Sequence, residues 1–214
     1  MGFKVQAGEG LKILCLGAHS DDIEIGCGGT ILRLLKEYRE VSVHWVVFGA
    51  EGTRAMEARE SADSFLEKAK HKTVVVKNYR DGFFPYIGAE IKNSFELLKT
   101  EVNPDIIFTH CSSDLHQDHR LICELTWNTF RDHMILEYEI MKYDGDLGTP
   151  NFYVRLNEDI CRNKIQKICL YFKSQLSKHW FTEDAFLSLL RLRGLESNAS
   201  DRYAEAFYCR KGVL

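Results

Sequence analysis

Over its first two-thirds, the chain alternates short apolar runs with longer segments of helical periodicity. A compact apolar run occupies positions 11–16, a run rich in β-branched and aromatic residues occupies positions 41–48, and positions 30–38 between them carry apolar side chains at helical spacing. Strands that alternate with helices of about ten or more residues form βαβ units, which place the strands parallel in one sheet. The pattern therefore predicts an α/β fold with a mainly parallel sheet flanked by helices.

The alternation continues along the chain. Further strands are predicted at residues 73–77 and 106–109, and further helices at residues 54–70, 87–102 and 118–130. The last third is less regular, with a strand predicted at 152–156, helices at 159–176 and 183–193, and a terminal strand or ordered tail at 203–209. No boundary signal precedes this last third, so we expect residues 1–214 to form one Rossmann-like domain.

Composition narrows the functional classes without naming one. The 214 residues include 28 basic and 31 acidic side chains, and the net charge of −3 argues against a nucleic-acid-binding protein that neutralises phosphates. No run approaches the roughly 20 apolar residues of a transmembrane helix, and the first ten residues lack the apolar core of a signal peptide. The seven cysteines form no C-x-x-C pair, so we expect free thiols in a cytoplasmic protein.

Polar residues follow the first predicted strand directly. His19, Asp21, Asp22 and Glu24 lie within a segment, residues 17–30, that also carries several glycines. In open α/β sheets, ligands bind at the carboxyl ends of the strands, which is where this segment lies. An imidazole and three carboxylates at such a place are costly to desolvate unless they hold a cation.

A second polar cluster follows the predicted strand at 106–109. Asp114, His116, Asp118 and His119 all lie between that strand and the next helix. Because the carboxyl ends of parallel strands meet at one edge of a sheet, we expect the two clusters to lie together. Each motif alone is weak, since H-x-D-D is more often turn chemistry and Asp118 is also placed to N-cap its helix. Their joint position favours a metal site.

The combined cluster has the donors of a catalytic metal centre. Two imidazoles and one carboxylate, with an open position for water, form the ligand set of a catalytic zinc, and the same set suits ferrous iron. The remaining carboxylates supply a candidate general base, and the remaining histidine supplies a candidate donor to an oxyanion or a leaving amine. This inventory fits hydrolysis of an amide or an ester.

Two segments carry a resemblance to a known family. Residues 18–24 read AHSDDIE and residues 116–119 read HQDH. Together they resemble the A-H-P-D-D-E and H-P-D-H motifs of the LmbE/PIG-L family of metal-dependent N-acetylglucosaminyl deacetylases. The resemblance covers nearly the whole chain, and its further matches are Arg59-Glu60, residues 103–105, residues 174–175, Arg191 and residues 203–207.

The resemblance implies a role for the residues of the two motifs. It implies zinc ligands at His19, Asp22 and His119, with Asp21 as the general base that takes a proton from water. The sequence departs from the family pattern where Ser20 and Gln117 replace prolines. Those positions lie between functional residues, so the loops lose a fixed φ but no ligand is lost. Glu24 comes one place later than the family's glutamate, with Ile23 before it, a form that some relatives share.

The resemblance also implies residues that act on the substrate. His116 would stabilise the tetrahedral oxyanion and protonate the departing amine, and Asp118 would orient His116. Arg59 matches an arginine that faces the substrate pocket in relatives. Asp114 and Arg191 are weaker candidates for substrate binding, and each has an equally good interpretation as an ordinary structural or surface charge.

The implied reaction is removal of the N-acetyl group from an N-acetylglucosamine-type amino sugar or its conjugate, which yields acetate and a free amine. Two alternatives stay open. An amidase acting on a thiol–sugar conjugate would share every site residue, and a non-catalytic metal- or sugar-binding protein would have no need of Asp21 or His116. The expected partner is a small N-acetylated sugar, and family members often form homo-oligomers.

Three other features are candidate neighbours of such a site. Residues 81–85, DGFFP, follow the third predicted strand and form a candidate substrate wall, although the glycine and proline alone predict only a turn. His110 directly follows the fourth strand and either lines the site or is a satisfied buried histidine. Trp45, Trp127 and Trp180 are interpreted as core or pocket-wall residues, because the acidic net charge argues against base stacking.

Overall fold

The computed structural model describes residues 10–212. From the sequence, we expect no signal peptide in the first ten residues. Of these, positions 1–9 lie outside the described residues. Within the described range, no helix combines the length and the apolar character needed to cross a membrane.

Strands and helices alternate over the first two-thirds of the chain and follow one another less regularly after that. The first half contains β1 (Leu11–His19), α1 (Asp22–Glu37), β2 (Val41–Gly49), α2 (Gly52–Phe65), β3 (His71–Val76), α3 (Gly88–Glu101) and β4 (Ile106–His110). The second half contains α4 (Gln117–Thr129), β5 (Met134–Tyr138), β6 (Phe152–Leu156), α5 (Glu158–Tyr171), α6 (Glu183–Glu196) and β7 (Tyr203–Tyr208). Short 3-10 helices occupy Phe84–Ile87 and Lys173–Gln175.

The strands form one sheet in the order β3-β2-β1-β4-β5-β7-β6. The five strands from β3 to β5 pair in parallel, and β7 pairs antiparallel with both β5 and β6. This confirms the predicted α/β fold with a mainly parallel sheet. The strand order reverses between β1 and β4, and in open α/β sheets such a switch point is where ligands bind.

Alternation along the strands divides the apolar core between the two faces of the sheet. On β1, Ile13 and Cys15 point to a cluster that includes side chains of α1, α2, α5 and α6. Leu14 and Leu16 point to the opposite cluster, which includes side chains of α3 and α4. The period-2 pattern of β1 therefore fixes helices on both faces of the sheet.

Helix α1 begins at Asp22, eight residues before the start predicted from apolar spacing. Its first turns contain glycines, which have low helix propensity and hid the helix from the sequence pattern. Tertiary packing requires them: a Cβ at Gly26 would lie 2.2 Å from the Tyr138 ring, and one at Gly28 would lie 2.7 Å from the Phe65 ring. Close packing of the helix against its neighbours thus overrides propensity here.

Strand β5 was not predicted, because Glu137 and Glu139 interrupt its apolar run. Both carboxylates are buried but paired. Glu137 accepts hydrogen bonds from Trp127 Nε1 at 2.7 Å and from the Ser112 amide at 2.8 Å, and Glu139 pairs with Arg193 at 2.8 Å. The partners come from distant parts of the chain, so local sequence does not reveal them.

Candidate active site

A cavity of about 300 Å³ opens at the carboxyl ends of β1 and β4, next to the reversal in strand order. Its floor is buried and polar, and its rim is exposed. The lining residues are His19, Asp21, Asp22, Ile25, Arg54, Asp81, His116, His119, Ile140, Lys142, Tyr143, Asp144, Lys178 and Trp180. Both predicted polar clusters therefore contribute to one cavity.

Three ligand-type atoms on the floor form a small triangle. His19 Nδ1 lies 3.2 Å from His119 Nε2 and 3.4 Å from Asp22 Oδ2, and His119 Nε2 lies 3.5 Å from Asp22 Oδ2. Two ligands bound tetrahedrally to zinc at about 2.0–2.1 Å are roughly 3.3–3.4 Å apart. The edges of the triangle match that spacing, so this donor set fits a tetrahedral divalent metal.

The outer nitrogen of each of these imidazoles contacts a carboxylate. His119 Nδ1 lies 2.9 Å from Asp114 Oδ2, and His19 Nε2 lies 3.2 Å from Asp118 Oδ2 and 3.0 Å from Asp81 Oδ1. Since a carboxylate accepts, each outer nitrogen donates and the inner nitrogen keeps its lone pair. Metal-binding histidines almost always show this arrangement.

Local structure explains how the ligand atoms converge. Asp22 is the first residue of α1, where the helix dipole favours a carboxylate, and its Oδ2 accepts the His19 backbone N–H at 2.6 Å. His119 lies in the first turn of α4. The first turn of α1, after β1, and the first turn of α4, after β4, thus bring Asp22 and His119 together.

Electrostatics favour the ligand form of Asp22 and His119, whereas they hold the His19 imidazole more basic than usual. Burial alone would raise the pKa of Asp22, but the facing His119 and His110 imidazoles outweigh burial and lower it. Burial and the neighbouring His110 lower the pKa of His119 to about 4, so this imidazole is neutral at pH 7. Burial would also lower the pKa of His19, but its hydrogen-bonded carboxylates outweigh it, and the pKa is raised.

Asp21 is buried beside the triangle. Burial and the charge of Asp22 raise the pKa of this carboxyl group. Ser20 Oγ donates to Asp21 Oδ1 at 3.4 Å and accepts from Arg54 Nε at 3.2 Å. A buried carboxylate with a raised pKa, in a cavity next to metal ligands, has the properties of a general base.

The backbone determines the tautomer of His116. This residue is the N-cap of α4, and its Nδ1 accepts the backbone N–H of Asp118 at 3.2 Å. Because Nδ1 is the acceptor, the neutral ring carries its proton on Nε2. Burial and the charge of His19 lower the pKa of His116, which favours that neutral form. His116 therefore offers one N–H donor on the cavity floor.

The family resemblance implied that Asp118 orients the His116 ring, but the Asp118 carboxylate has other partners. Its carboxylate contacts His19 and accepts the backbone N–H groups of Gly82 at 2.6 Å and Phe84 at 3.1 Å. The reason is geometric: Asp118 lies in the first turn of α4 and is fully buried toward β1. It holds the His19 imidazole and the backbone of Gly82 and Phe84 in place.

Asp114 is not a lining residue of the cavity, which corrects its assignment to substrate binding. Both oxygens are occupied within the protein: Oδ2 contacts His119, while Oδ1 accepts from the His116 backbone N–H at 2.7 Å and lies 3.0 Å from Lys142 Nζ. Its contacts are those of a residue that orients a ligand.

Arg59 and Arg191 do not line the cavity either. Arg59 is exposed and donates to the Val76 carbonyl at 3.2 Å, and Arg191 donates to the Arg202 carbonyl at 3.0 Å. Arg54 lines the cavity instead. Five residues along an α-helix rotate a side chain by about 140°, so Arg59 lies on another face of α2.

Several residues of the cavity were missed or left open by the sequence analysis. His110 is fully buried: its Nε2 accepts the Ala18 backbone N–H at 2.9 Å and lies 3.2 Å from Asp22 Oδ2. Asp81, the first residue of the 81–85 segment, lines the cavity, and so does Trp180. Arg54, Lys142 and Lys178 had no local sequence signal, because charged residues of this kind are common on surfaces.

Comparisons with known proteins show which family the chain belongs to. The family model for GlcNAc-PI de-N-acetylase (PIG-L) matches residues 14–130, more than half of the chain. The uncharacterized deacetylase YaiS of Escherichia coli K12 is 27% identical over 134 residues, which are 59% of this chain and 72% of that protein.

Two solved structures share the fold across nearly the whole chain. The conserved protein TT1542 of Thermus thermophilus is 19% identical, with a TM-score of 0.73 and coverage of 95% of this chain and 96% of the other. The N,N′-diacetylchitobiose deacetylase of Pyrococcus horikoshii is 24% identical, with a TM-score of 0.69 and coverage of 96% and 86%. With the family match over residues 14–130, the conclusion is that this chain belongs to the PIG-L family of deacetylases.

Proposed function

We propose that the protein is a zinc-dependent N-deacetylase that releases acetate from an N-acetylglucosamine-type amino sugar or its conjugate. One observation carries the proposal: the inner atoms of His19, Asp22 and His119 converge at 3.2–3.5 Å, while the outer nitrogen of each imidazole is held by a carboxylate. Ferrous iron suits the same donors and is the alternative metal.

The zinc site and the residues around it have different roles in the proposed reaction. When bound, zinc supplies Lewis-acid chemistry, which acidifies water and polarises a carbonyl. Asp21 is the group that removes a proton from the attacking water, because it is buried at the cavity floor and its pKa is raised. Its protonated form then holds the proton that the amine nitrogen needs to leave, a role that the resemblance gave to His116, whose lowered pKa favours the neutral ring.

His116 acts on the other side of the reacting carbonyl. Its Nε2–H is fixed as a donor by the N-cap hydrogen bond at Nδ1, so it is ready to donate to the oxyanion that forms on attack. A donor fixed before the reaction stabilises the developing charge without reorganisation. Arg54 and Asp81 form the wall next to Asp21 and limit where the sugar lies.

The direct test is acetate release from a panel of N-acetylglucosaminyl compounds, with metal analysis of the same sample. We expect release that stops on chelation and returns when zinc is added. Free sugar, sugar phosphate, a glycoside and a thiol–sugar conjugate belong in the panel, because the last of these tests the amidase alternative. Inertness of the metal-loaded protein towards every member would contradict the proposal and favour a binding protein.

A further inference from the structure

We infer that the mouth of the cavity binds an anionic group carried by the substrate beyond its amino sugar, with Lys178 as the residue that recognises the charge. The inference rests on the proposed function, since it names the class of conjugate that the same site would take. A phosphate and a carboxylate share the required chemistry.

The size of the cavity makes the mouth part of the binding site. A volume of about 300 Å³ is at the lower end of ligand pockets, so it holds little more than one sugar. Any group attached to that sugar has to leave past the exposed residues of the rim. Those residues include Tyr143 and Lys178, with the half-buried Trp180 beside them.

Only one of the three cations that line the cavity lacks an ion pair within residues 10–212. Lys142 Nζ contacts Asp114, Asp144 and Asp146, and Arg54 contacts Asp81 at 2.9 Å. Lys178 has no carboxylate within ion-pair distance among these residues, and its ammonium lies 5.6 Å from the centre of the Trp180 ring. A charge that the protein leaves unpaired at the rim is available to a ligand.

Aromatic rings flank this charge. Tyr143 is 63% exposed and meets His179 edge-on at 4.9 Å and Trp180 edge-on at 6.4 Å. The rings come from two separate loops, one after β5 and one after α5, and they meet over the cavity. The exposed ring of Tyr143 suits the C–H face of a sugar, so the rim combines a surface for the ring with a cation for an attached anion.

The competing interpretation is that Lys178 is an ordinary solvated lysine. In that case its removal would leave substrate preference unchanged. The two interpretations therefore differ in one measurable quantity, the ratio of kcat/KM for an anionic and a neutral conjugate of the same sugar.

The test compares three substrates: N-acetylglucosamine 1-phosphate, the carboxymethyl glycoside and the neutral methyl glycoside, all of the same anomer. We expect the wild type to prefer the anionic compounds, and Lys178→Met to lower the ratio of their kcat/KM to that of the methyl glycoside about tenfold. Lys178→Arg should retain the preference. The phosphate and carboxymethyl arms show which anion the site takes.

Lys173→Met is the matched control, because Lys173 is exposed on the same connection but does not line the cavity. An equal loss on charged and neutral substrates in Lys178→Met, or no preference in the wild type, would overturn the inference. If no compound releases acetate, the proposed function fails, and calorimetric binding of N-acetylglucosamine 1-phosphate then decides: weaker binding to Lys178→Met supports the anion site, and equal binding rejects it.

Discussion

The floor and the mouth of the cavity are built in different ways. The floor comes from the ends of β1 and β4, inside the region that the family model matches, and its metal-facing side chains are buried and held by several hydrogen bonds. The mouth comes from the connections after β5 and α5, outside that region, and its Tyr143 and Lys178 side chains are exposed. The contrast assigns chemistry to the floor and choice of substrate to the mouth.

The largest effect is expected at the floor. Asp21→Asn keeps the size of the side chain but removes the proton acceptor, so we expect kcat for acetate release to fall about 10²–10⁴-fold. The metal content should stay at the wild-type level, because Asp21 is not part of the ligand triangle. Asp144→Asn, at the exposed rim, is the control and should change kcat less than about twofold. Loss of metal in Asp21→Asn would contradict the assignment of Asp21 as a base that does not bind the metal.

A buried ion pair links α5 and β7 to α1, the helix that carries Asp22 of the floor. Lys164 on α5 pairs with Glu205 on β7 at 2.6 Å and donates to the Ile25 carbonyl, while Glu205 accepts the backbone N–H groups of Gly29 and Thr30 on α1. Lys164→Met leaves Glu205 buried without its cation, so we expect a loss of about 3–5 kcal/mol in the free energy of unfolding by urea.

The double variant Lys164→Met/Glu205→Gln is the control for that prediction. It removes the uncompensated charge, so it should recover part of the lost stability. A change below about 1 kcal/mol in Lys164→Met would mean that the C-terminal elements do not depend on this link to α1.

A smaller effect is expected from the residue that orients His119. Asp114→Asn removes the charge that faces His119 Nδ1, so zinc affinity should fall about 10–100-fold in chelator competition, and excess zinc should restore the rate. Asp146→Asn also removes a carboxylate from Lys142, but it touches neither ligand histidine and should leave zinc affinity unchanged. Equal effects of the two variants would assign the loss to Lys142.

The smallest effect concerns pH. Burial raises the pKa of Glu24 to about 8, against 4.5 for an ordinary glutamate. The folded state therefore holds a proton that the unfolded state has released, and stability falls as pH rises from about 4.5 to about 8. In the metal-free protein, Glu24→Gln should raise the free energy of unfolding by at least about 1 kcal/mol at pH 8 and change it little at pH 4.5. A pH-independent difference, or one shared by the exposed Glu67→Gln, would reject this account.

The sequence predicted the floor better than the mouth. His19, Asp22 and His119 follow strands with clear apolar patterns, so their meeting could be expected from the parallel sheet alone. Arg54 was missed because the start of α2 at Gly52, and hence the face that each arginine occupies, depends on packing. Tyr143 and Lys178 lie on irregular connections, whose path no periodic pattern describes.

Two departures from the family pattern also gain a meaning only in three dimensions. Ser20 accepts from Arg54 Nε, and Gln117 Nε2 donates to the Gly82 carbonyl. Both side chains therefore hold groups close to the cavity in place. A proline at either position has no side-chain donor or acceptor and could not make these contacts. The sequence alone showed the loss of two stiff positions but not these contacts.

The most direct test of the central claim is the number of zinc ions bound per chain after dialysis. The account predicts about one zinc in the wild type and in His133→Asn, whose histidine lies away from the cavity, and almost none in His119→Asn. Equal zinc contents in His119→Asn and the wild type would contradict the proposed metal centre.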